Sequence, residues 1–380
     1  MQILSKLPNV GITIFTTMSA LAKEHNAINL SQGFPDFECN PKLLELADKY
    51  MHGGFNQYAP MPGVIQLRER IAEIMSFCYQ VNYHPDHEIT ITAGATQAIY
   101  TTIAAFIHAG DEVIVFEPAY DCYIPAIELH GAKAVCSQLN ATDFSIKWHD
   151  VKSKITSKTK AIIINSPHNP SGTTLSDTDL MELERLVAGK NILIISDEVY
   201  EHMVFDGQQH QSIARHKTLL QQAIIVSSFG KTVHTTGWKI GYVAGPKELM
   251  AEFRKAHQFL VFAVNHPFQL ALADFLAEKN NYLELKNFYQ EKRDYFLKLT
   301  KASKFIPLIT SGTYFQLMSY RDISDAYDVE FAIKLTKENK LASIPLSVFY
   351  TKKTDNKLLR FCFAKKNETL ERAAEILCAL

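Results

Sequence analysis

A chain of 380 residues, 47% of them apolar and 21% charged, is long enough to bury a large core and to divide into two or three domains. Its 39 basic and 40 acidic side chains leave a net charge of −1, which excludes the strongly basic surface of a nucleic-acid or anionic-membrane binder, so any anion site must be built locally. Six cysteines lie scattered with no Cys-x-x-Cys pair, and there is neither a secretory leader nor an apolar run of membrane-spanning length, a pattern that points to free thiols in the cytoplasm.

Residues 1–40 carry no clear sheet pattern, and Ser31-Gln-Gly-Phe-Pro-Asp36 reads as a turn-rich loop. Between Pro41 and Tyr79 the apolar spacing predicts two helices, separated by Gly53-Gly54 and a turn from Pro60 to Gly63. Strands and helices then alternate. Strands are expected at 88–94, 112–118, 134–139, 161–165, 192–196, 223–227 and 240–244, with helices at 95–108 and through about His130. This is the signature of an α/β fold with a seven-stranded, mostly parallel sheet flanked by helices on both faces. Past Lys247 come long helices, roughly 248–261, 267–278 and 282–299, and then a smaller α+β part through 313–318, 341–349 and 358–363. His84-Pro-Asp-His-Glu88 has metal-ligand residue types, but it is a polar turn ahead of a strand and reads as solvated, so no metal site is expected. The Phe-rich run 257–268 reads as core or interface.

The chemistry collects at strand ends. The apolar run Ala223-Ile-Ile-Val226 stops at Ser227-Ser-Phe-Gly-Lys-Thr232, as a buried strand does when it delivers a loop to a site. A Walker phosphate loop would need glycine five positions before Gly230, where Ile225 stands, so that alternative falls. A second lysine, Lys239, follows in Gly237-Trp-Lys-Ile-Gly241. Upstream, Asn191-Ile-Leu-Ile-Ile-Ser-Asp197 leads to Asp197 and Tyr200, and an earlier apolar run leads to Asn169. An amine, a carboxylate, a phenol and an amide, each at a strand's end, suit a pyridoxal 5'-phosphate site. Gly94-Ala-Thr-Gln97 opens a helix with N–H groups that can cradle a phosphate, although on its own it reads more readily as an ordinary capped helix start.

The strings Ser166-Pro-His-Asn-Pro-Ser-Gly172, Ser196-Asp-Glu-Val-Tyr-Glu-His202, Ser227-Ser-Phe-Gly-Lys-Thr232 and Gly237-Trp-Lys-Ile-Gly-Tyr242 together resemble the fold-type I, pyridoxal-phosphate-dependent aminotransferases of class I and II. With Ser31-Gln-Gly-Phe-Pro-Asp-Phe37, Asn56-Gln-Tyr-Ala-Pro60 and Leu359-Arg-Phe-Cys-Phe-Ala-Lys-Lys366, the chain looks most like the methionine and kynurenine aminotransferase branch. That resemblance implies a large cofactor domain at 41–275, a small domain at 276–380, and a segment at 1–40 that joins the small domain and lids the site. It implies that Lys231 carries the cofactor as an imine and moves the substrate's α-proton, which requires a lysine neutralised by burial. Asp197 would face the pyridine nitrogen, Asn169 and Tyr200 the phenolic oxygen, and Tyr120 the ring face. Ala95, Thr96, Ser228 and Lys239 would hold the phosphate. Arg360, with Gly33 and Asn169, would bind the substrate carboxylate, although alternation along its strand equally allows an outward, solvated arginine. Tyr58 would reach the phosphate of a neighbouring subunit, which makes the expected assembly a homodimer with shared sites. Aromatic residues (Phe15, Tyr58, Tyr120, Phe349) around the pocket would favour apolar substrates. One departure is Ser171-Gly-Thr-Thr174, where many relatives carry a lysine after the glycine, away from the cofactor contacts. The resemblance leaves β-elimination, as in a cysteine-conjugate β-lyase, open on the same cofactor. A pyridoxal-phosphate-binding regulator is disfavoured, since no DNA-binding segment precedes the fold.

Overall fold

The computed structural model describes residues 3–380. All seven strands expected between residues 88 and 244 form, and they make one sheet. Its order is Ile89–Thr92, Gly241–Ala244, Ala223–Ser228, Leu193–Asp197, Thr159–Asn165, Glu112–Glu117, Lys133–Gln138. Every pairing from Ala223–Ser228 outward to Lys133–Gln138 is parallel. Gly241–Ala244 runs antiparallel to both its neighbours. The reason is the connection: after Ser228 the chain turns back through the short helix Phe229–Thr232 and the turn Thr236–Trp238, and re-enters the sheet from the end it left.

Why these runs are continuously apolar is plain from their burial. Leu193–Asp197 and Ala223–Ser228 are buried at every position, because helices cover both faces of the sheet. Alternate residues go to opposite layers. Ile162, Ile164, Ile194 and Ile225 join one core cluster, while Ile163, Ile195, Ile224 and Val226 join the other.

The C-terminal part is an antiparallel sheet in the order Ile344–Pro345, Leu358–Cys362, Phe315–Ser319, Ile306–Pro307. Helices Asp328–Asn339 and Asn367–Cys378 belong to the same part. Three expectations need correction. The first forty residues do contribute to a sheet: Ile28–Asn29 pairs in parallel with Leu341–Ala342, a two-residue strand too short to show alternation. The long helix expected at 282–299 is two, Asn280–Leu283 and Leu285–Leu299, with Glu284 closing one and opening the other so that Tyr282 and Leu285 both reach the interior. The helix expected to run through about His130 starts only at Tyr123. All six cysteines are free thiols. Among the described residues no helix is long and apolar enough to cross a membrane, and no cluster of three or more His, Cys, Asp or Glu is placed to hold a metal ion.

Gly63 ends the turn ahead of the helix Ile65–Tyr79 with φ +96°, and a Cβ there would lie 2.1 Å from Ile91 Cγ1 and 2.8 Å from Gln269 Oε1. Both the left-handed backbone and the overlap oppose any side chain. Gly63→Ala is therefore expected to cost about 2–5 kcal/mol, seen as a lower urea midpoint at unchanged slope.

Candidate active site

The parallel register sets the site. Asn165 lies opposite Asp197, and Asp197 opposite Val226, so the last polar residues of adjacent strands stand side by side at one edge. Ser228 lies opposite Gly241, which also faces Thr92, bringing the start of the helix Ala95–Phe106 alongside. Beyond this edge opens a cavity of about 260 Å³. Loops after the strands supply Asn169, Tyr200, Lys231 and Lys239 to its lining, the N-terminal segment supplies Gln32 and Gly33, and the C-terminal sheet supplies Arg360.

Lys231 Nζ donates to Tyr314 Oη at 2.8 Å and to the Gly33 carbonyl at 3.2 Å; the Tyr314 hydroxyl also donates to that carbonyl. Burial lowers its pKa from the ordinary lysine value to about 8, and the positive charges of Arg360 and Lys239 push the same way. Asp197, 3% exposed, has its pKa raised to about 6 by burial, held back from rising further by a hydrogen bond from Tyr123. Arg360 is buried to 1% exposure, which decides its direction: the side chain points inward. Its Nη1 donates to Asn169 Oδ1 at 2.7 Å and its Nη2 to the Ser31 carbonyl at 3.2 Å, while Nε has no partner. The guanidinium sits 3.8 Å from the centre of the Phe315 ring. A buried cation with neutral partners and a spare N–H is a receptor for an anion, because a carboxylate satisfies both the charge and the fork geometry.

At the other end of the cavity, no side chain caps the helix Ala95–Phe106. Gly94 has φ +80°, and a Cβ there would stand 3.3 Å from Lys239 Nζ; glycine thus lets the ammonium approach the helix N-terminus. Backbone N–H groups, the helix dipole and a lysine charge converge there, the arrangement a phosphate requires. A phosphorylated aldehyde therefore fits this cavity, with its phosphate at Gly94–Thr96 and its aldehyde end near the amine of Lys231. A second cavity of about 470 Å³ shares the Asn165 wall but contains Asp143 and Asp179 and no lysine or arginine, so a phosphate finds no counter-charge in it.

The family model for aminotransferases of class I and II matches residues 25–377. The chain belongs to that family. It is a pyridoxal-phosphate-dependent aminotransferase. It is 49% identical to the methionine aminotransferase of Escherichia coli (strain K12), over 98% of this chain and 97% of that one. It is 33% identical to the kynurenine–oxoglutarate transaminase of Dictyostelium discoideum, over 97% of this chain and 94% of the relative. The solved structure of YbdL from Escherichia coli, described as identifying a methionine aminotransferase function, superposes with a TM-score of 0.98 at 48% identity, covering 100% of both chains.

Of the residues expected in the site of this aminotransferase, Gly33, Ala95, Thr96, Tyr120, Asn169, Asp197, Tyr200, Ser228, Lys231, Lys239 and Arg360 all line the one cavity. Tyr58 lies outside it, 80% exposed, its ring edge-on to Phe262 at 5.1 Å. Phe15 lines the cavity, whereas Phe349 packs behind it against Phe15 and Arg360. Sequence reasoning passed over Gln32, Asp121, Asn165 and Phe315 in the lining, and Tyr314 beneath Lys231. Asn165 carried a signal, being the polar end of an apolar strand just as Asp197 is. Tyr314 and Phe315 carried none, since in an apolar segment nothing marks which ring turns to the site.

Amine reactivity checks the electrostatics directly. In the cofactor-free protein Lys231 should reach half-maximal labelling by an arylating reagent near pH 8, the fraction of neutral amine rising with pH. Exposed lysines should need about pH 10.4, and peptide mass spectrometry across a pH series separates the two.

Proposed function

We propose that this enzyme transfers the amino group of methionine, and of aromatic amino acids including kynurenine, to a 2-oxo acid, and that it works as a cytoplasmic homodimer. One observation carries the substrate class. The cavity lining holds three cationic side chains, Lys231, Lys239 and Arg360. With Lys239 at the phosphate end, Lys231 as the reacting amine and Arg360 on the α-carboxylate, no cation of this protomer is left for a side-chain carboxylate. The rings of Phe15, Tyr120 and Phe315 in the same lining favour an uncharged, apolar side chain. The activities of the methionine and kynurenine aminotransferase relatives support this choice.

Bound here, pyridoxal phosphate supplies an aldehyde to take up the amino group and a ring that withdraws electrons from the α-carbon. The protein does the rest. N–H groups of Ala95 and Thr96, the Ser228 hydroxyl and the Lys239 ammonium hold the phosphate. Tyr120 covers the ring, and an ionised Asp197 keeps a proton on the ring nitrogen. Tyr200 and Asn169 take the phenolic oxygen; Asn169 Oδ1 is committed to Arg360, so its Nδ2 is the end that donates. Arg360, with Gly33 beside it, would grip the carboxylate and so orient the substrate's α-carbon. Lys231 Nζ then takes the α-proton and later returns one, a task suited to a group titrating near neutrality.

Residues 1–40 act as a lid on this site together with the small domain at 276–380, the remainder forming the large domain. This division is supported by hydrogen bonds that the 31–36 segment accepts from Arg360, Lys365, Lys366 and Thr369. Tyr58 serves the phosphate of the second protomer's site. Its exposure beside Phe262 and the bare Phe259, 86% exposed, supports a buried dimer face there.

Steady-state rates over a panel of amino donors test the assignment. Methionine, phenylalanine, tyrosine and kynurenine should exceed aspartate and glutamate in kcat/KM by at least about tenfold, a difference of about 1.4 kcal/mol. A best donor with a side-chain carboxylate would refute it. Arg360→Ala should raise KM for amino and oxo acids alike, by about 10–100-fold, because one carboxylate clamp serves both half-reactions. An effect confined to one substrate would remove Arg360 from that role.

A further inference from the structure

Tyr123 stands behind the cavity rather than in its wall. It is the first residue of the helix Tyr123–Leu129, and its ring, 3% exposed, packs into the core layer that holds Ala98, Ile163 and Ile195. The ring meets Tyr120 edge-on at 5.8 Å. From there its hydroxyl donates to Asp197 Oδ2 at 2.5 Å. The other oxygen, Oδ1, has only a long contact of 3.3 Å from the Val199 N–H. Asn165 Nδ2 braces the Asp197 backbone carbonyl at 2.9 Å, and Asn165 Oδ1 accepts the Asn169 N–H at 2.8 Å. The carboxylate is thus clamped through one oxygen, and the other keeps its capacity for a donor in the cavity.

We propose that Tyr123 is a positioning residue for transamination: through its hydrogen bond to Oδ2 it keeps the Asp197 carboxylate ionised and presents Oδ1 to the cofactor. The inference rests on Asp197 being the partner of the ring nitrogen.

The surroundings of Asp197 show why such a donor matters. Burial works against its charge, and Glu198, next in the chain, adds a like charge. Tyr120 and Cys122, in the segment leading into the Tyr123 helix, are both held neutral by burial and add no compensating positive charge. Lys231, on the short helix Phe229–Thr232 after the adjacent strand, acts in Asp197's favour, but its own pKa is depressed. That leaves the Tyr123 hydroxyl as the leading influence on the ionised side, ahead of the Val199 N–H. Burial and the neighbouring Asp197 charge push the phenol well above its ordinary range, so it stays a donor throughout the working pH range. A buried tyrosine that merely needed an acceptor would be satisfied by any carbonyl. This one is spent on the acid that the chemistry needs charged.

The test uses the holoenzyme. Tyr123→Phe keeps the ring and removes the donor, so Asp197 protonates at higher pH and the acid limb of kcat should move up by about one unit, a tenfold change in the ionisation equilibrium. KM for the amino acid should stay within about twofold, because Arg360 is untouched. Cofactor release, followed by fluorescence after dilution, should quicken below neutrality in the same variant. Should that variant fail to fold, 3-fluorotyrosine placed at position 123, a more acidic phenol of nearly the same shape, should move the limb below that of the parent enzyme. A purely structural tyrosine responds to neither change: a uniform loss at every pH, or a limb unmoved by fluorination, overturns the proposal. Asp197→Asn separates the two levels. If it is severe while the limb stays fixed in the position-123 variants, only the role of Tyr123 is lost. If Asp197→Asn is itself mild, the assignment of Asp197 fails first.

Discussion

The constraint on which this site depends is the register of the parallel strands. A parallel sheet ends its strands in step, so polar residues that terminate apolar runs line up along one edge, and Asn165 facing Asp197 is the direct result. A slip of one residue would turn Ile194 and Ile195 to the wrong layers, and each belongs to a different core cluster. The hydrophobic core therefore holds the catalytic edge in place. Gly241 extends the row: antiparallel to both neighbours, it lies opposite Ser228 on one side and Thr92 on the other. A Cβ at Gly241 would lie 2.5 Å from the Ser227 carbonyl and 3.2 Å from the Ala95 nitrogen. The absence of a side chain there brings the uncapped helix start close to the strand that leads to Lys231.

Burial sets the charges in the cavity. Burial pulls Lys231 down to about 8 and Asp197 up to about 6, each toward its neutral form. Arg360 is likewise pulled downward by burial but remains a cation, with an unpaired Nε. Burying an unmatched guanidinium costs several kcal/mol, and the Phe315, Phe15 and Phe349 rings around it offset only about 1–2 kcal/mol apiece. Such a site holds its electrostatic cost in reserve. An anion at Lys239 and the start of Ala95–Phe106, and a second at Arg360, would each offset part of that cost.

How much of this could be read in the sequence follows from the same physics. The strands of the large sheet were legible because burial on two faces leaves continuous apolar runs, and the chemical residues were legible because each ends such a run. The direction of Gly241–Ala244 was hidden, since pairing sense depends on the path of the intervening loop and leaves no mark on composition. Ile28–Asn29 was hidden by being too short for alternation to show. Tyr123 illustrates a different limit. It follows Tyr120 by three residues, and one ring lines the cavity while the other supports it from behind, yet as residue types they are identical. Composition names what is present near a site. Only the fold decides which of two like rings touches the ligand.

The N-terminal segment shows what long-range contacts add to a local motif. Ser31 to Asp36 looked like a loop, and no element of regular structure holds it; Gln32 is tied back to Phe15 and Ser19 and Gly33 to Lys231, while its other anchors come from the C-terminal part of the chain. The Arg360 guanidinium takes the Ser31 carbonyl, Tyr314 the Gly33 carbonyl and Lys365 the Phe34 carbonyl, while Asp36 accepts from the Lys366 N–H and the Thr369 hydroxyl. The Cys362 N–H donates to Leu30 at the segment's start. Five of these six hydrogen bonds tie the strip to the strand Leu358–Cys362 and the residues after it, and the sixth, from Tyr314, ties it to the residue just before the strand Phe315–Ser319. Each replaces hydration that an exposed loop would otherwise keep, and together they are worth several kcal/mol at about 1 kcal/mol each. The strip and the strand consequently behave as one wall. The Gly33 carbonyl, which the Tyr314 hydroxyl and the Lys231 amine share, joins this wall to the amine at the centre of the cavity.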